Sequence, residues 1–187
     1  MAHLTEKAIM ESFVALLSEK SFDKITVTDI VERCQITRRT FYYHYADLYE
    51  LTEALFRSET ERAIANYEES GSWEKSFIRD CRFVMENRRA VYHIFKSVHR
   101  AELEKYVDRI AAEVMSRFID QQAAGLDVQA RDKALICDFY RCALCGLLYQ
   151  WLEDGMKDEP EDAIHRLGVL FDGNIRRSLE RSAETTK

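Results

Sequence analysis

What most limits the folds open to this chain is its shortage of turn-forming residues. One proline, Pro160, and six glycines, at positions 71, 125, 146, 155, 168 and 173, punctuate 187 residues. Sandwiches and barrels place turn signals about every 8–12 residues, so they are disfavoured. The glycines are too scattered to assemble a phosphate-cradling loop, which removes most nucleotide-binding α/β folds. Between the breaks, apolar residues recur every third or fourth position, as at Ile9, Phe13, Leu16 and Leu17, the spacing of one helical face. At 47% hydrophobic and 32% charged, the chain can bury a core and keep a wet surface. An all-α protein is expected.

The first 45 residues divide into three short helices. The first spans Thr5 to Glu19, with Thr5 as its N-cap. The second starts at Thr26, where Thr26-Val27-Thr28-Asp29 has the form of a capping box with Asp in place of Glu. It places Ile30 and Val31 inside and stops near Cys34-Gln35. Thr37 caps the third, which reaches His44 or Tyr45 and anchors itself through Phe41 and Tyr45. Two short helices joined by a tight turn form a helix-turn-helix pattern. Beyond Asp47 a long helix runs to about Tyr67, with Ser72 capping the next. Helices are expected near 73–87, 88–99, 101–123 and 128–153, and a last one from 160 to about 181. The 128–153 segment lacks a polar face, so most of its sides must be covered.

Charge and cysteine usage narrow the function. The net charge of −6 argues against wholesale coating of nucleic acid, yet leaves room for a small, focused reading surface. No apolar run of about 18 residues occurs, so no membrane span, membrane partner or signal peptide is expected. Five cysteines, an odd number within apolar segments, read as reduced thiols of a cytoplasmic protein, with redox or metal sensing as the alternative. Di-iron bundles need paired Glu-x-x-His signatures, and only Asp162-x-x-His165 comes near. No catalytic residue, metal or cofactor is expected, and the enzyme reading is the weaker one.

Residues 26–51, TVTDIVERCQITRRTFYYHYADLYEL, resemble the DNA-binding domain of TetR-family transcriptional regulators. The capped second helix, the Ile30-Val31 pair, the turn Cys34-Gln35-Ile36-Thr37, the run Thr40 to Tyr45 and Leu51 bear the likeness. It implies a three-helix DNA-binding domain over residues 1–50 and a helical regulatory and dimerisation domain over 51–187, about nine helices in all. A helix entering the major groove needs hydroxyls and forked donors in its first turn. Thr37, Arg38, Arg39 and Thr40 supply them, with Tyr42, Tyr43, His44 and Thr26 as further contacts to double-stranded DNA. Residues 1–50 hold 6 Lys and Arg against 8 Asp and Glu, so a single domain binds weakly and a homodimer is expected. Three positions depart from the family. Cys34-Gln35 replaces Ala-Gly in the turn, Arg39 stands where many members have glycine, and Leu48 where lysine is usual.

The last two helices have the lengths and apolar stripes of a dimer interface, with Cys142, Cys145, Gly146, Tyr149, Ile164, Gly168, Phe171 and Ile175 as candidates; closing the monomer core is the other reading. The resemblance also implies a pocket for a small-molecule effector, with Tyr92, Phe95, Asp138, Phe139, Arg141 and Trp151 as candidate contacts. Aromatic residues at helical spacing are more often core, and Asp138 with Arg141 also suits a structural ion pair. A ligand-responsive repressor on a palindromic operator leads; a co-activator acting with a partner protein, as in a dihydroxyacetone kinase regulator-like subgroup, is the alternative.

Overall fold

The described residues of the computed structural model, 2–171 and 173–185, form ten α-helical segments and one 3-10 turn, with no strand among them. In chain order these are α1 (Ala2–Glu19), the 3-10 turn Phe22–Lys24, α2 (Val27–Cys34), α3 (Arg38–His44) and α4 (Leu48–Ser70). Then come α5 (Trp73–Glu86), α6 (Arg88–Phe95), α7 (Arg100–Gln122), α8 (Ala130–Glu153), α9 (Pro160–Leu170) and α10 (Asn174–Thr185). The all-α fold is as expected, with two local differences. Helix α1 starts at Ala2, so Thr5 lies within it and is not its cap. The last expected helix is two segments, α9 and α10, with Gly173 at φ +66 between them. The apolar stripe keeps its period across that break, which hid it; Asp172-Gly173-Asn174 is the turn signal that reveals it.

Two compact units make up the chain, Met1–Glu61 with Val84–Tyr106, and Arg62–Phe83 with Val107–Lys187. In the first, α1 packs against α2 and α6. Its core holds Ile9, Phe13, Leu17, Ile30, Phe41 and Leu51, all fully buried. Phe13 meets Phe22 edge-on at 5.9 Å between centroids, and the His93 ring nitrogen lies 2.6 Å from the Leu17 carbonyl oxygen at the end of α1. This last-turn carbonyl thus gains a partner it lacks within its own helix.

In the second unit, Met115, Ile119, Ala123, Ile175 and Leu179 form one apolar cluster, flanked by Phe118, Ile136 and Tyr140. A second joins Ile78, Cys81 and Ile164 with Trp73, Phe77 and Leu148. Arg176 from α10 donates to the Gln122 carbonyl at 2.5 Å and the Ala124 carbonyl at 3.2 Å, capping the C-terminal end of α7, where a cation is electrostatically favoured. Helices α5 and α9 are clasped by Arg82 to Glu161 and by Glu74 to His165. Among the described residues, no helix is long and apolar enough to cross a membrane.

Candidate nucleic-acid interface

Three short-range caps set the ends of the helices around the turn. The Thr26 N–H donates to Asp29 Oδ2 at 2.7 Å, and Thr26 Oγ1 accepts from the Asp29 N–H at 3.3 Å, a complete capping box. Lys20 pairs with Asp29 Oδ1 at 2.7 Å. The Lys20 ammonium first, then the Thr26 hydroxyl and N–H, hold the Asp29 carboxyl at about 2, below its usual 3.8. Thr37 Oγ1 accepts from the Thr40 N–H at 3.1 Å and starts α3. Asp47 Oδ1 accepts from the Glu50 N–H at 2.9 Å at the head of α4.

The turn between α2 and α3 forms without glycine because Gln35 takes the left-handed conformation, φ 56 and ψ 40. The Ile36 N–H closes it on the Val31 carbonyl at 3.0 Å. Cys34 turns inward, its thiol 3.0 Å from Ser12 Oγ and 3.3 Å from the Ala8 carbonyl on α1. A non-glycine residue in this region costs about 1–2 kcal/mol, partly offset by the freedom that glycine loses on folding. Gln35→Gly is therefore expected to raise stability by about 0.5–1 kcal/mol. A urea midpoint that fails to rise would assign the Gln35 side chain a compensating contact.

Buried Phe41 and Tyr45 fix α3 by one side. Thr26, Thr37, Arg38 and Arg39 are exposed, Thr40 is half-buried, and Tyr42 and Tyr43 are 53% and 81% exposed. His44 is the exception. Its side chain is only 6% exposed and faces Glu6 of α1, with the ring nitrogen 3.4 Å from Oε1. It steadies α3 from within and does not present itself to a phosphate. Neighbouring cations are already engaged, Lys20 with Asp29 and Arg33 with Glu19 at 2.7 Å. Arg39 has no polar partner among the described residues, whereas Arg38 Nη2 donates to Thr28 Oγ1 at 2.5 Å. Thr28 was missed by the sequence reading. A second hydroxyl in the capped first turn of α2 was the available signal.

The candidate effector contacts divide between the two units. Tyr92 and Phe95 belong to the first; Asp138, Phe139, Arg141 and Trp151 to the second. Phe95 is buried, with the Arg100 guanidinium 4.1 Å above its ring. Arg141 pairs with Asp108 at 2.9 Å and Asp138 at 3.3 Å, the structural ion pair. Phe139 points outward, and Trp151 Nε1 donates to the Asp158 carbonyl at 2.8 Å, pinning the turn after α8.

The candidate dimer residues also separate. Cys145, Ile164 and Ile175 are buried within the chain, so they are core and not surface. Gly168 admits the Glu74 carboxylate: a Cβ there would lie 2.8 Å from Oε2, so its smallness serves packing inside the chain. Tyr149 is half-buried. Cys142, Gly146 and Phe171 remain exposed, joined by Phe139, expected above as an effector contact, and by Leu135, Leu147, Val169 and Leu170, which the sequence pattern does not single out. The expectation that α8 is covered on most sides fails for the single chain, because Leu135, Phe139, Cys142 and Gly146 form one bare stripe, with Leu147 exposed beside it. Cys81 and Cys145 are buried thiols pushed up to about 12 by desolvation, which makes them unreactive.

A capped α3 with outward arginines and tyrosines, fixed to a small core, is the arrangement of a helix-turn-helix regulator. Residues 9–55 match the bacterial regulatory proteins of the tetR family, and residues 71–173 match a transcriptional regulator C-terminal region. The chain belongs to the TetR family of transcriptional regulators. It is 24% identical over 146 residues, 77% of each chain, to the HTH-type dhaKLM operon transcriptional activator DhaS of Lactococcus lactis subsp. lactis (strain IL1403). It is 25% identical over 162 residues to the uncharacterized HTH-type transcriptional regulator YxbF of Bacillus subtilis (strain 168), covering 84% of this chain but 42% of YxbF. The solved structure of the dihydroxyacetone kinase operon activator DhaS matches with a TM-score of 0.77 at 20% identity, covering 92% of this chain and 97% of DhaS. NalD of Pseudomonas aeruginosa, the secondary repressor of the MexAB-OprM multidrug efflux pump, matches with a TM-score of 0.63 at 14% identity, covering 96% and 98%. The family and these relatives are transcription regulators, not enzymes.

Proposed function

We propose that this regulator acts in the cytoplasm and binds a pseudo-palindromic operator as a homodimer. Residues 1–50 read the DNA, and residues 51–187 mediate pairing and respond to a small-molecule effector. The supporting observation is the outer face of α3, where Arg38, Arg39, Tyr42 and Tyr43 stand exposed on a helix anchored by buried Phe41 and Tyr45. Repression by occupying a promoter is the first reading. Activation is the second, favoured by the likeness to DhaS, whose name describes an operon activator. Transcription from the regulator's own upstream DNA, measured in vitro with and without the protein, separates the two: output falls for a repressor and rises for an activator. A gel shift showing no preference for that DNA over scrambled DNA refutes both.

Affinity is expected to drop more than about tenfold between about 50 and 200 mM salt, because each phosphate neutralised by Arg or Lys releases counterions. The acidic chain makes this a sharp test, since only the focused cations of α3 and its surroundings can produce the slope. Fluorescence anisotropy that stays flat over that range would place the contact surface elsewhere.

A further inference from the structure

We propose that Thr28 is a specificity-determining positioning residue: its hydroxyl holds the Arg38 guanidinium in one orientation and makes Arg38, not Arg39, the base-reading arginine. This rests on the reading that α3 enters the DNA groove. Thr28 Oγ1 lies 2.5 Å from Arg38 Nη2 and bridges the first turns of α2 and α3. Arg39, one residue on, has no polar partner among the described residues. The chemistry of the acceptor matters. A carboxylate would orient the guanidinium but also cancel its charge, whereas a hydroxyl orients it and leaves the charge intact. The adjacent carboxylate is withheld, because Asp29 is committed to the Thr26 cap and to Lys20. Arg38 spends one of its five N–H donors on Thr28. The rest of the planar fork is held in advance for the paired acceptors of a guanine, so less rotamer freedom is lost on binding. An untethered Arg39 loses that freedom on contact and suits the sequence-independent charge of phosphate.

The test compares wild type with Thr28→Val, Thr28→Ser, Arg38→Ala and the Thr28→Val/Arg38→Ala double variant. Each is selected on a randomised operator library and then titrated on the selected and scrambled DNA. Valine keeps the shape and branching of threonine and removes only the acceptor, and circular dichroism confirms that each variant is folded. The expected result is that Thr28→Val loses about tenfold discrimination at the same base pair that Arg38→Ala relaxes. Its affinity for scrambled DNA is unchanged, Thr28→Ser behaves as wild type, and Thr28→Val adds nothing once Arg38 is alanine. The proposal is overturned if Thr28→Val weakens all sequences alike, if it still has an effect in the Arg38→Ala background, or if it changes nothing while Arg38→Ala relaxes a base. An Arg38→Ala protein that selects the wild-type sequence with wild-type affinity overturns the roles of Arg38 and Thr28, and the reading of α3 itself falls only if Arg39→Ala is equally without effect.

Discussion

Replacing Arg38 by alanine is expected to weaken binding to a cognate half-site by about 1–3 kcal/mol, the worth of one forked contact to a base. A dimer on a full operator registers the loss twice. The fold should hardly notice, because Arg38 is exposed and its tether to Thr28 lies at the surface; such changes shift stability within about 0.5 kcal/mol. Arg39→Ala is expected to behave differently, weakening operator and scrambled DNA alike and reducing the salt slope by about one per half-site. Titrations of both variants on both DNAs at two salt concentrations read these effects directly. Equal, sequence-blind losses in the two variants would contradict the division of labour, and no loss in either would remove α3 from the DNA.

Phe139→Glu is expected to convert the protein to monomers without unfolding it. In the single chain the Phe139 ring is 66% exposed, so a carboxylate there is solvated and harmless to the monomer. In the proposed pair it sits at the middle of the bare α8 stripe, where an unpaired charge taken out of water costs several kcal/mol. The dissociation constant should rise by at least about a hundredfold, on the order of 3 kcal/mol. Leu147→Glu, two turns further on, serves as the second probe. Ile164→Glu is the contrast: Ile164 is buried in its own chain, so that change should lower the melting temperature instead. Sedimentation would settle the matter, and a Phe139→Glu protein that remains dimeric, or a wild type that is monomeric at micromolar concentration, would rule out pairing through α8.

The parts legible beforehand share a short range. Thr26 with Asp29, and Thr37 with Thr40, act across three residues, and any chain that places those residues so meets the same caps. The inward pair Phe41 and Tyr45 follows from one helical turn. Missed or misplaced residues all depend on what arrives from elsewhere. His44 looked like a phosphate contact until α1 brought Glu6 to its ring, and Gly168 looked like an interface residue until α5 laid Glu74 across it. Phe95 is an aromatic on a helix like Phe139, yet one is core and the other bare.

The starts of α2 and α3, the glycine-free turn and the outward arginines were thus determined by the sequence alone, because hydrogen bonds to neighbouring backbone and a 3.6-residue period are local quantities. Tertiary structure decided which apolar residues remain uncovered. On α8, Cys145 and Leu152 are buried while Leu135, Phe139 and Leu147 are exposed, although hydropathy places them all on an equally apolar helix. It also decided that Arg38 is tethered and Arg39 is not, since Thr28 lies ten residues away in sequence and reaches Arg38 only when the turn folds α2 back against α3. Burial and orientation of this kind are set by which elements pack together, and a one-dimensional pattern holds no record of that.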